Sequence, residues 1–472
     1  MRVKSPVVVL YVQICVYIVL FFAVAGCEKE QEAPKVLPPP ATNEVAAATT
    51  LLATISDQER PLASQGLSSH AGSQSDQGQN PIFTVVFSKL GGGVAYSAQK
   101  EGKAYVVHNG KAGRPYKSID RMALSLDGRR IAYGAQVNEK WRMVIDGSEG
   151  PIFDGVGEPV FSPDGRHVAY EAKSGEKWHI VVDDKTSAGC ISYYDKPVFS
   201  ADSARVFAIE NTDEVIKKRF IVSDLGFINQ NVREFPGNIV VVNEDKTRVA
   251  AVFEVGKNKK VIEFSFADPE RVKEGPLYDD IAYLVFGGDG VSVAYTALKG
   301  GVRLLILNDK EERLPDGGLL PLPVIRPDLK GIGIMMAEDK AVFLHQAFYN
   351  DGTKEKRYDD AADLVYNSDG SLHAYSARKG MKCFAVVNGK EGPAFDMVIS
   401  PVFSPDGRYV VYRARKDGKR FVVVADTGGK TVSQSPSYEQ VFNTLFTSDG
   451  KSVAYGVKDG NKLIWKVEKL DK

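Results

Sequence analysis

The chain of 472 residues is short of the features that mark nucleic-acid binding, metal binding or hydrolysis. Lysine plus arginine and aspartate plus glutamate number 60 each, so there is no basic excess. That argues against a phosphate-binding protein, which needs a basic face. There are 4 cysteines and no CxxC pair, which excludes the common zinc patterns. No G-x-S-x-G, H-E-x-x-H or phosphate-binding loop occurs, and Gly91-Gly92-Gly93 is not followed by a helical pattern. The 6 histidines (His70, His108, His167, His179, His345 and His373) are scattered along the chain. No catalytic residue, cofactor or metal ligand is assigned. Helical periodicity is missing from about residue 81 onward.

Only one long apolar run is present, and it opens the chain. Arg2 and Lys4 precede a hydrophobic stretch that stops at Val24-Ala25-Gly26-Cys27. A basic start, an apolar centre and small residues before the end have the form of an export signal. The last four residues resemble the bacterial lipobox, which implies cleavage at 26 and lipidation of Cys27. An uncleaved anchor helix is the alternative. Glu28 in place of aspartate resembles, under an enteric sorting pattern, an outer-membrane destination. Residues 27–79 are rich in Pro, Ser, Gly and Gln and read as a disordered tether. Within it, Val45–Ser56 is expected to form a marginal helix or to lie against the main body. Cys190 and Cys383 remain, read as two buried free thiols with a long-range disulfide as the alternative.

From residue 80 to 472 the chain repeats itself. FSPDGRHVAY at Phe161 returns as FSPDGRYVVY at Phe403, with related copies including LSLDGRRIAY at Leu124, FGGDGVSVAY at Phe286, YNSDGSLHAY at Tyr366 and FTSDGKSVAY at Phe446. Ten copies recur at a period of about 40 residues, which identifies stacked supersecondary units. Each unit holds four short runs of strand character separated by glycine turns, the make-up of a β-propeller blade. The expected fold is all-β, about ten four-stranded blades in one large ring, or two rings of about five. A strand near Asn80–Phe83 is expected to complete the last sheet.

The recurring aspartate reads as turn chemistry. In Ser162-Pro163-Asp164-Gly165, proline presets φ and glycine accepts the positive φ that closes a hairpin. Asp127-Gly128, Asp289-Gly290, Asp369-Gly370, Asp406-Gly407 and Asp449-Gly450 repeat the pattern. Asn109-Gly110, Asp146-Gly147 and Asn388-Gly389 form a second family of hairpin turns. Trp141, Trp178 and Trp465 fall on third strands and read as packing residues.

The F-S-P-D-G-x-x-x-A-Y repeats resemble the exported propeller repeats of TolB and of prolyl-oligopeptidase-type enzymes, and are similar in length to WD-repeat blades. The resemblance covers about residues 81–470. Asp202-Ser203, Asp245-Lys246 and Asp328-Leu329 depart from it, and TolB-type proteins have fewer blades and an amino-terminal domain not found here. A fold of this kind implies little about function. Two functions stand: a membrane-tethered scaffold binding an envelope protein or peptide as a monomer, or a propeller enzyme or glycan- or peptide-binding protein with a site at the channel mouth.

Overall fold

The structure, a computed structural model, describes residues 48–55, 60–61, 85–193, 196–211, 217–224, 230–236, 239–243, 247–265, 271–314, 321, 323–329, 331–337, 345–349, 355–447 and 449–470. The signal segment and Cys27 lie outside them. The described strands form ten antiparallel sheets and no helix. We number the sheets by their second strands: Val94–Lys100, Ile131–Val137, Val168–Ser174, Arg205–Asn211, Arg248–Val255, Val293–Lys299, Ile332–Ala337, His373–Lys379, Tyr409–Lys416 and Ser452–Asp459. Most sheets run inner strand, second, third and short outer strand in chain order. Three described strands form the seventh.

The second strands are buried on both faces, which is why they read V-A-Y-x-A and not as an apolar–polar alternation. Val168, Ala169 and Ala172 have no exposed surface and Tyr170 has 1%. Inner strands alternate between neighbours: Phe161 packs toward the second sheet, whereas Val160 packs with Val206 and Ala208 of the fourth. Each sheet therefore covers one flank of the next, the blade-on-blade packing of a β-propeller. Tyrosine pairs lie in these seams. Tyr116 meets Tyr133 edge to face with ring centroids 6.4 Å apart, and Tyr278 meets Tyr295 at 5.8 Å. Such pairs add about 0.5–1.5 kcal/mol each beyond area burial.

The last sheet differs from expectation. Its fourth strand is Ala48–Thr54, which pairs antiparallel with Lys462–Lys469 (Thr50 opposite Trp465), and the Ile55 amide donates to the Asn461 carbonyl at 2.7 Å. Of the two expectations for Val45–Ser56, a helix or a segment lying against the main body, the helix is not what forms: Ala48–Thr54 is an extended strand paired into the body, inside the stretch read as tether. Alanine's helix propensity is worth only tenths of a kcal/mol, and an unpaired sheet edge outweighs it. The strand expected at Asn80–Phe83 lies outside the described residues. Ala53, Ile55 and Leu463 of the tenth sheet cluster with Val94, Tyr96 and Tyr105 of the first, so the two ends of the array pack together.

Candidate functional site

The sequence-predicted turns sit where second strands begin. Asp164 accepts from the Ser162 hydroxyl at 2.5 Å and the Arg166 amide at 3.0 Å. The same serine accepts from the His167 amide at 2.9 Å, and Gly165 has φ 72°. Asp127 and Asp406 repeat the arrangement with Ser125 and Ser404, and Asp449 repeats it with Thr447. Asp289 binds the Ser292 amide and hydroxyl, and Asp369 the Ser371 amide. Gly128, Gly290, Gly370, Gly407 and Gly450 all lie at φ between 66° and 73°. Asp202 keeps the bonds in a repeat without glycine, where Ser203 takes φ 63°. Burial tends to raise the Asp164 carboxyl, but the Ser162 hydroxyl and Arg166 amide outweigh it and hold it below the usual range. The aspartates stand one per sheet, and among the described residues no three His, Cys, Asp or Glu side chains are grouped to hold a metal.

Two further families of turn acceptor emerge. In the second turn family Asn109, Asp146 and Asn388 accept from the first amide of the second strand, for example Ile131 to Asp146 at 2.9 Å. An aromatic-Asp pair also recurs: Asp154, Asp279, Asp359 and Asp396 accept from the hairpin between second and third strands, as Asp279 does from the Gly300 amide at 2.6 Å. The recurring FD and YD dipeptides carried that signal.

The features open to recognition lie on the inner strands. Register breaks at one position in sheet after sheet, between Asp120 and Met122, Ala282 and Val285, Ala362 and Val365, and Ile399 and Val402. Arg121, Tyr283, Asp363 and Ser400 take φ of 49°, 53°, 59° and 54° there. Left-handed backbone costs a non-glycine residue roughly 1–2 kcal/mol, and bulges of this kind re-aim side chains. Arg121 is exposed and Tyr283 is 46% exposed. At the same repeat position, Lys196 of the fourth sheet binds Glu158 of the third at 2.7 Å, and the Ser400 amide donates to Asp363 at 3.0 Å. A polar or aromatic residue interrupting an aliphatic strand four positions before the turn's first residue was the sequence signal for this row.

A cleft of about 60 Å³ opens beside the row between the eighth and ninth sheets, lined among others by Asp360, Asp363, Ser376, Arg378 and Cys383. Arg413 lies behind, donating to Ser400 Oγ at 3.1 Å, with burial lowering its pKa against the attraction of Asp363. No disulfide joins Cys190 and Cys383, which are half-buried where buried thiols were expected, and burial pushes the Cys383 thiol up. Of the histidines, His167 bonds Asp183 at 2.8 Å and His179 the Ser187 carbonyl at 2.9 Å. His373 meets Glu355, which also accepts from Tyr375 at 2.6 Å.

No protein-family model matches the chain, and no curated protein does. Among solved structures it is similar to a eukaryotic initiation factor, with a TM-score of 0.46 and 10% identity over 74% of this chain and 97% of the other. It is also similar to TolB from Acinetobacter baumannii, with a TM-score of 0.29 and 14% identity over 67% and 80% of the two chains. A third is the β-propeller domain of the Trilobed protease from Pyrococcus furiosus, with a TM-score of 0.33 and 11% identity over 59% and 95%. Likeness of this strength is one of shape.

Proposed function

We propose that the chain is a lipid-anchored envelope protein whose ten sheets form one closed ring, and that the ring serves as a scaffold for a protein or peptide partner. The row of re-aimed side chains on the inner strands carries the recognition reading: Arg121, Tyr283, Asp363 and Ser400 keep left-handed backbone that a plain strand would avoid. Packing of the first sheet on the tenth supports closure.

Anchoring follows from Cys27 and from the strand Ala48–Thr54. With that strand in the tenth sheet, about 20 residues separate lipid from ring, and a chain of that length spans at most about 70 Å even fully extended. The tenth sheet would therefore stay near the bilayer. The export signal places the ring in the bacterial envelope, and Glu28 favours the outer membrane under the enteric pattern.

Affinity capture of the acylated protein from envelope extract tests the reading. A partner retained by the wild type and lost from Arg121→Glu and Tyr283→Ala supports it. Equal capture by these variants, or solubility of the wild type without detergent, contradicts it.

A further inference from the structure

In the first sheet a leucine stands where the turn aspartate belongs. Ser88-Lys89-Leu90-Gly91 aligns with Ser125-Leu126-Asp127-Gly128 and Ser162-Pro163-Asp164-Gly165, and each closes through the glycine amide onto the serine carbonyl. Leu90 gives up the carboxylate bonds that Asp127 and Asp164 make to their turn's hydroxyl and amide. It is also 63% exposed, so packing is not what it gains. Leu126, at the position where Pro163 presets φ, is 41% exposed. Single exposed leucines are ordinary. These two are neighbours: the Leu90 amide donates to the Leu126 carbonyl at 3.2 Å. The turns stay in contact beyond them, through Arg130 Nη1 to the Gly165 carbonyl at 2.9 Å and the Asp164 amide to the Ser203 hydroxyl at 3.1 Å. Exposed Pro163 and Ala201 continue the apolar row into the third and fourth sheets.

The amino-terminal strand enters the body at the same end. Ala48 pairs with Val467 and Thr54 with Lys462, while Ser452, just after the tenth sheet's turn, pairs with Lys469. The strand therefore starts at the turn end of that sheet and finishes at the hairpin end. The Gly91 turn packs on the Trp465 side chain, and Trp465 is paired with Thr50, so the leucines lie beside the point of entry. The other ends of the same sheets are charged. There the hairpins between second and third strands expose Glu101 and Lys103, Glu139 and Lys140, and Glu176 and Lys177. At the turn end Arg129 and Arg166 are offset by Asp127 and Asp164 at 3.7 Å and 3.8 Å, so its character is apolar and not basic.

We propose that the turns of the first to fourth sheets rest on a lipid bilayer, with Leu90 and Leu126 at its headgroup–acyl boundary. The inference rests on the lipid anchor proposed above and adds the face that the bilayer meets. Two leucines and their neighbours are too little apolar surface to hold a free protein on a membrane. A chain already tethered through Cys27 meets the bilayer in an intramolecular contact, for which weak attraction suffices. Arg129 and Arg166 would lie along the surface, their stems on the apolar side and their heads among the phosphates.

Fluorescence quenching on vesicles tests it. The full-length acylated protein, carrying Cys190→Ser and Cys383→Ser, is labelled with nitrobenzoxadiazole at Arg129→Cys, beside Leu126, or at Glu139→Cys, at the other end of the same sheet. It is reconstituted in phosphatidylcholine vesicles with and without 5-doxyl-phosphatidylcholine. The label at 129 is expected to shift to the blue and to be quenched several-fold more than the label at 139. Leu90→Ser with Leu126→Ser is expected to abolish that difference, and Leu90→Met with Leu126→Met to keep it, while every variant floats with the vesicles. Equal quenching at the two sites, stronger quenching at 139, or a difference that survives the serine pair overturns the inference and leaves the anchor standing. Shielding of the label at 129 by added envelope proteins but not by vesicles assigns the leucines to a protein partner and overturns it as well. A wild type that does not float with the vesicles overturns the anchor, and this inference with it.

Discussion

A methyl group built on Gly128 would lie 2.4 Å from the amide nitrogen of Gly93 and 2.7 Å from its Cα. The turn of the second sheet therefore sits directly on the backbone of the first. Gly165 occupies the same place in the third sheet with the same φ of 72°, yet its methyl would meet only Ser125 Cβ at 3.5 Å. Gly165→Ala is expected to cost about 1–2 kcal/mol, the strain of left-handed backbone. Gly128→Ala adds a backbone clash and is expected to cost more than about 4 kcal/mol. Urea unfolding of the two variants measures the difference; equal costs would mean that neighbouring turns do not touch.

The amino-terminal strand makes a contrasting pair. Ala53 is 5% exposed and packs in the seam with the first sheet, whereas Thr50 on the same strand is exposed. Ala53→Asp places a charge without a partner in that seam and is expected to lower stability by about 3 kcal/mol or more. Thr50→Asp is expected to stay within about 0.5 kcal/mol of wild type. Unfolding followed by the fluorescence of Trp141, Trp178 and Trp465 together reads both. A tether at these positions would leave both variants neutral.

Acid should loosen the fold through many turns at once. The Lys140 ammonium and the Gly175 amide hold Asp154 below its ordinary pKa; the Asp417 amide does so for Asp396, and the Thr447 hydroxyl and Lys451 amide for Asp449. A carboxyl depressed in the folded state stabilises it fully above the unfolded pKa near 3.9 and loses that contribution as pH falls through the folded value. Stability is expected to be flat from about pH 5 through neutral pH and to fall steeply below about pH 4. At the alkaline end burial raises Tyr170 and Tyr278, each to about 12. Their contribution is complete below the unfolded tyrosine value near 10 and is lost as pH rises toward 12. Denaturant midpoints across pH 2–12 should trace both limbs; a midpoint indifferent to pH below 4 would remove the turn carboxylates from the account.

The bulge row allows a test of strain. Arg121→Gly removes the left-handed penalty at some cost in chain entropy, whereas Arg121→Val adds a β-branched side chain where φ is 49°. The valine variant is expected to be less stable than the glycine variant by about 1–2 kcal/mol. Equal stability would mean the strand runs without its bulge.

Much of the architecture was legible because turn chemistry is local. Ser162-Pro163-Asp164-Gly165 specifies its own hairpin, and repetition carries the assignment to the other sheets. Ala48–Thr54 was illegible because nothing in A-T-T-L-L-A-T specifies a strand; the free edge of Lys462–Lys469, far off in sequence, does so. The cleft at Cys383 was hidden for a related reason. Its lining comes from strands of two neighbouring sheets, Asp360–Asp363 and Met397–Ile399 among them, and only packing brings those together. Arg121, Tyr283 and Asp363 stood in plain view as breaks in aliphatic strands, but only the backbone shows the left-handed turn that re-aims them.

Closure of the ring is tested most directly between Phe87 of the first sheet and Phe442 of the tenth, whose ring centroids are 4.9 Å apart. With Cys190 and Cys383 changed to serine, Phe87→Cys and Phe442→Cys should form an intramolecular disulfide on mild oxidation, seen as faster gel migration reversed by reductant. A single ring of ten sheets predicts that bond. Failure of the pair to join, with Phe87→Cys joining Val241→Cys of the fifth sheet instead, would contradict it and divide the chain into two rings.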